Sequence, residues 1–140
     1  MSKVVKFGGS SLASAEQFKK VGEIIRSDSC RKYVVPSAPG KRHKEDTKVT
    51  DMLYACYDLA EAGKDFSPEL AEIAARYREI IEGLAISLTL EDEFEIIRRN
   101  FEDRAGSDYA ASWGVYLNGF IMAEYMGYEF VDAATVICFD

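Results

Sequence analysis

The sequence predicts an α/β fold: a short, mainly parallel sheet flanked by helices, and helix-rich along most of its length. Three observations predict it. Apolar runs at Lys3–Phe7 and Tyr33–Val35 each stop at Gly or Pro, as buried strands do. Longer stretches with apolar residues at helical spacing follow them, opened by capping residues and closed by glycine. The resulting order of strand, helix, strand, helices, strand is commonly solved by a parallel sheet with helical crossovers.

Each element has its own signals. Lys3–Phe7 is closed by Gly8-Gly9. Ser14 is an N-cap, and Gln17 three residues later completes a capping box. The helix behind it carries Phe18, Val21, Ile24 and Ile25 on one face and frays near Ser27-Asp28-Ser29. Tyr33–Val35 is a second buried strand, ended by Pro36 and the turn residues Ser37-Ala38-Pro39-Gly40. After a polar loop, Thr50-Asp51 caps a helix from Met52 to about Glu61. Ser67-Pro68-Glu69 starts the next, with proline in the first turn and an acid near the positive end of the helix dipole, and Gly83 stops it.

Thr89 or Leu90 opens a fourth helix, with Glu91, Asp92 and Glu93 in its first turn and Arg98, Arg99 and Arg104 toward its end. Ser107-Asp108 begins the last long helix, which reaches about Met126 before Gly127. Tyr128–Val131 reads as a third strand and Thr135–Phe139 as a fourth. No Gly/Ser linker, repeat or low-complexity tract divides the chain, so residues 1–140 form a single domain. An apolar ending at Ile137-Cys138-Phe139-Asp140 suggests a piece of something longer, whose unpaired edge could pair in a homodimer.

Composition excludes several classes. At 140 residues, 48% hydrophobic and 29% charged, the chain can bury a core. A formal net charge of −7 opposes nucleic-acid and anionic-membrane partners. The basic run Lys41-Arg42-His43-Lys44 is answered at once by Glu45 and Asp46, as in a solvated loop. Cys30, Cys56 and Cys138 are odd in number and lack metal-ligand spacing, which points away from disulfides and zinc and toward reduced thiols in the cytoplasm. There is no apolar leader and no membrane-span-length stretch. No metal ligand set is assigned, and the single histidine, His43, has no triad partners nearby.

The opening stretch, KVVKFGGSS, is unusual. A charge and two glycines at a strand's end make sense if backbone N–H groups and a lysine hold an anion there. An ordinary strand-to-helix turn is the plain alternative. The stretch is neither a dinucleotide fingerprint nor a Walker A loop.

Read together with VVPSAPGK after the second strand, TDML opening a helix and AASxGxYLNGxIMAxYMGYEFVDA near the end, the stretch acquires a context. These words, in this order, resemble the N-terminal portion of the catalytic domain of aspartate kinases, in the amino acid kinase family, and imply part of that family's fold. In that family ATP phosphorylates the side-chain carboxylate of L-aspartate. The resemblance implies that Lys6 stabilises the transferring phosphoryl group, that Gly8, Gly9 and Ser10 line the phosphate loop, and that Ser37 and Thr50 hold aspartate. Taken singly, Ser37 is a turn residue and Thr50 a cap.

Two departures qualify that implication. Family members have a longer catalytic domain and then regulatory domains, and the segments that hold adenine, ribose and magnesium lie in that further part. ATP and magnesium are therefore cofactors by resemblance, neither expected to bind this stretch alone, and turnover by it alone is not expected. In the late helix the family reads S-R-G-E-Y-L-N-G-K where this chain has Ser112 to Phe120. The glutamate that contacts the substrate amino group is here Val115, a lost charged contact of the kind that costs ~2–5 kcal/mol. Arginine and lysine have likewise become Trp113 and Phe120. Trp113, Tyr116 and Phe120 share a helical stripe, for which core packing is the plain reading and an engineered or repurposed protein-binding scaffold the second. Its binding face would be that stripe together with Val115.

Overall fold

A computed structural model describes residues 2–131 of the chain. The order is β1 (Lys3–Lys6), a 3-10 turn (Gly9–Leu12), α1 (Ala15–Arg26), β2 (Arg31–Val35), α2 (Val49–Glu61), α3 (Ser67–Gly83), α4 (Glu91–Glu102) and α5 (Ser107–Met126). Strands β1 and β2 pair in parallel, with Val4 opposite Tyr33, Val5 opposite Val34 and Lys6 opposite Val35. The Phe7 N–H donates to the Val35 carbonyl and carries the pairing one residue further.

The strands are less buried than their composition predicts. Val5 and Val34 pack on the core, but Val4, Tyr33 and Val35 on the other face are exposed at 68%, 60% and 44%. Among the described residues, only one face of this two-stranded sheet has a layer against it. Tyr128–Val131 forms no strand. The chain leaves α5 through left-handed Gly127 (φ 71°), the Tyr128 N–H donates to the Ala123 carbonyl, and Phe130 packs on the rings of Tyr116 and Phe120. The expected strand at 135–139 and the edge expected to dimerise lie outside the described residues.

Helix starts follow local chemistry with two corrections. Ser14 Oγ accepts from the Gln17 N–H at 3.4 Å, as a capping serine should. Helix α2, however, begins earlier than Thr50-Asp51 predicts. The Val49 N–H donates to the Pro39 carbonyl at 3.0 Å, so the preceding loop starts the helix and Thr50 lies inside its first turn. Ser67 is the first residue of α3 rather than its cap, with its N–H bonded to Asp65 Oδ1 at 3.0 Å. At the far end Gly83 is still helical and Ala85 takes the left-handed step (φ 55°). Ile24, placed by periodicity with the buried face of α1, is 48% exposed.

One hydrophobic cluster draws on all five helices. Phe18, Val21 and Ile25 come from α1, Leu53 and Tyr57 from α2, Ile73, Tyr77 and Ile80 from α3, Ile97 and Phe101 from α4, and Leu117 and Ile121 from α5. The Tyr57, Phe101 and Phe66 rings pack at centroid distances of 5.7 and 5.9 Å. Gly22 lets α1 approach α5 closely, since a Cβ there would lie 2.9 Å from the Tyr125 ring. No helix among the described residues is long and apolar enough to cross a membrane.

Candidate functional site

Where β1 and β2 end, two turns meet. The Gly40 N–H donates to the Gly9 carbonyl at 2.9 Å, and a Cβ at Gly40 would lie 2.7 Å from Gly9 C and 2.9 Å from Ser10 N. No side chain fits between backbones that close, which gives Gly9 and Gly40 a packing reason to be glycine. Gly8 is different: a Cβ there meets nothing within 4 Å.

The second turn is gripped from two further sides. Helix α5 approaches it through Gly114, whose added Cβ would lie 2.8 Å from the Ala38 Cβ, and through Gly119 near Pro36. Asn118, fully buried, donates from Nδ2 to the Ser37 carbonyl at 2.7 Å, and its Oδ1 has no partner among the described residues. From α3, buried Arg76 donates to the carbonyls of Gly40 (2.8 Å) and Thr47 (2.9 Å) and lies 3.6 Å from Asp46. Tyr77 beside it donates to the Gly114 carbonyl at 2.9 Å, and burial pushes its phenol far above the usual range.

These contacts frame a cleft of about 520 Å³ lined by Gly9, Ser10, Ser37, Ala38, Pro39, Gly40, Lys41, Lys48, Thr50 and Val115. Five residues singled out from the sequence thus converge, from four separate segments: Gly9, Ser10, Ser37, Thr50 and Val115. Lys6, exposed at the end of β1, and Gly8 are not among the lining residues. Lys41, which sequence reasoning left in a solvated loop, and Lys48, which it did not single out, are. That loop is also more ordered than its composition predicts. Arg42 binds Asp46 at 2.7 Å and Glu79 at 3.1 Å, and its hydrogen bonds hold the Asp46 carboxyl well below the usual carboxylate range. A larger groove of about 660 Å³ between α3 and α4, lined by Leu70, Ile81, Leu88 and Phe94 among others, contains none of the expected site residues.

Arg76 is the structural residue that sequence reasoning missed. Its signal was present: an arginine on the face that carries Ile73, Tyr77 and Ile80 has to find buried acceptors. At Trp113 the aromatic stripe of α5 follows the plain core-packing reading and not the binding-face one. Trp113 is 9% exposed and belongs to the core, because the glycine-mediated approach of α5 turns that face inward. Tyr116 and Phe120 are half-buried and stack edge-on with Phe130 at 5.2 and 5.5 Å. Val115 alone of the four is exposed, at 47%.

Among the described residues no group of three or more His, Cys, Asp or Glu could hold a metal ion. His43 is exposed and 3.6 Å from Glu45. Cys30 and Cys56 are free thiols, and burial, with a smaller contribution from Glu69, pushes the Cys56 thiol up to about 12. Cys138 lies outside the described residues.

Comparison with known proteins gives these features a context. The amino acid kinase family profile matches residues 1–140. Aspartokinase 3 of Bacillus subtilis (strain 168) is 53% identical over 89 residues, 63% of this chain and 19% of that protein. The crystal structure of Clostridium acetobutylicum aspartate kinase, described as an allosteric enzyme, superposes with a TM-score of 0.90 at 51% identity, over 93% of this chain and 30% of that one. E. coli aspartokinase III, crystallised with aspartate and ADP, shares the fold at a TM-score of 0.71 and 24% identity, over 91% of this chain and 29% of that one. The chain therefore spans less than a third of the length of each of these relatives.

Proposed function

The chain belongs to the amino acid kinase family, and from that premise we propose that its cleft is the carboxylate-holding half of an aspartate kinase active site. The observation that supports this reading is the convergence of Gly9, Ser10, Ser37, Thr50 and Val115, with Lys41 and Lys48, in one cleft. Hydroxyls and lysines suit a small carboxylate, since charge-assisted hydrogen bonds to such a group are the strong ones. The Ser37 turn, held by Asn118 and by the Gly40 contacts, keeps that wall in place. Positioning of this kind is most of what a phosphoryl-transfer site contributes.

ATP, when bound, supplies the phosphoryl group. In this chain Ser37 and Thr50 hold the acceptor carboxylate, Gly9 and Ser10 border it, and Lys6 and Gly8, at the end of β1 and outside the cleft lining, are left to the transferring phosphoryl group. The residues present fit an anion but not a metal ion, so no step is assigned to magnesium. The chain by itself holds one reactant without positioning the other, and we expect no aspartate-dependent turnover from it.

Titration of L-aspartate into the chain, followed by amide chemical shifts, tests the reading. Shifts should cluster at Gly9, Ser10, Ser37 and Thr50 and weaken in Ser37→Ala and Thr50→Val. Shifts confined to another surface, or none at millimolar aspartate, would overturn it.

A further inference from the structure

We propose that the cleft selects short dicarboxylates by their two negative charges and does not read an ammonium group, so that succinate binds at least as well as L-aspartate. The inference rests on the carboxylate-side reading above and adds what that site discriminates. Both ionised side chains that line the cleft, Lys41 and Lys48, are cations, and no carboxylate lines it among the described residues. The acids that adjoin it in sequence are not available. Asp46 is engaged by Arg42 at 2.7 Å and by Arg76 at 3.6 Å. Asp51, next to Thr50, is exposed and lies outside the lining.

An α-ammonium entering this cleft sheds water and finds only hydroxyl and carbonyl dipoles, with two like charges nearby. Each carboxylate, in contrast, can gain charge-assisted hydrogen bonds from lysine and hydroxyl donors. Between the polar groups, Ala38, Pro39 and Val115 form an apolar wall suited to methylene carbons. That wall separates a dicarboxylate from a compact anion such as inorganic phosphate, which has the charge without the spacer.

Calorimetric titration of the whole chain with succinate, L-aspartate and inorganic phosphate decides the matter. Succinate should bind as tightly as L-aspartate or tighter, and phosphate about tenfold more weakly. Lys41→Met and Lys48→Met, both at exposed positions, should each weaken succinate about tenfold. Val115→Glu, at another exposed position, should move the succinate-to-aspartate preference about tenfold toward aspartate by supplying the missing acceptor.

Tighter binding of L-aspartate than of succinate to the unaltered chain overturns the inference while leaving the carboxylate-side reading intact. Absence of binding by all three compounds overturns that reading itself. Phosphate equal to succinate, unchanged affinity in both lysine variants, or an unmoved preference in Val115→Glu would each overturn the dicarboxylate assignment.

Discussion

Gly9 and Gly40 meet backbone to backbone: the Gly40 N–H donates to the Gly9 carbonyl at 2.9 Å, and a Cβ on Gly40 would sit 2.7 Å from Gly9 C. Neither atom is the mobile end of a side chain, so the overlap cannot be relieved without moving a turn. Gly40→Ala should destabilise the chain by about 3 kcal/mol in urea unfolding. Gly8→Ala, at an ordinary φ of −76° with open space around it, should change stability by less than about 0.5 kcal/mol. Equal effects at both positions would refute the packing account.

Arg76 ties α3 to the Gly40–Thr47 loop through two carbonyls and Asp46. Arg76→Met keeps the aliphatic bulk but leaves buried acceptors without a donor. It should cost about 3 kcal/mol and weaken anion binding in the cleft, because the loop that carries Lys41 loses its anchor. Unchanged urea midpoints would show that water replaces the guanidinium without loss.

Acid should loosen the same loop. Hydrogen bonds from Arg42 hold the Asp46 carboxyl below its ordinary 3.8, and Lys3 with the Cys30 N–H lowers Asp28 to about 2. A group whose folded value is depressed contributes its stabilisation above the unfolded value and loses it as pH falls toward the folded one. Urea midpoints should therefore drop as pH falls from about 5 to 2. Asp46→Asn should flatten that slope, and an equally steep slope in the variant would exclude Asp46 as its source.

Trp113 behaves as core in this structure, and its truncation should show it. Trp113→Ala should lose about 3 kcal/mol of stability. Val115→Ala, two residues on and exposed, should stay within about 0.5 kcal/mol. A Trp113→Ala chain that unfolds like the parent would restore the stripe as a surface feature.

Much of this was legible in the residues, and the exceptions share a cause. Helix α5 has the bounds that Ser107-Asp108 and Gly127 mark, because an acid in the first turn and a left-handed glycine at the end act within one turn of chain. Ser37, Thr50, Gly9 and Ser10 were found as members of ordered motifs and Val115 as a departure from one, and the five line one cleft. Less legible was whatever depends on neighbours distant in sequence. Tyr33 and Val35 have strand chemistry, yet their exposure depends on a layer the strand does not itself encode. Trp113 was open to a core and to a surface reading from the sequence, and the close approach at Gly114 turns it inward. Lys41 sits in a run that reads as solvated until Arg42, Asp46 and Arg76 fold it back, and Lys48, just beyond that run, was not singled out.

The turn that carries Ser37 is fastened by a glycine contact from the first loop, an asparagine from α5 and an arginine from α3. Its conformational freedom is therefore surrendered when the chain folds, not when a ligand arrives. An incoming anion meets a wall already set to shape, so its affinity is diminished little by ordering entropy. Amide hydrogen exchange in this turn should accordingly be as slow before binding as after it.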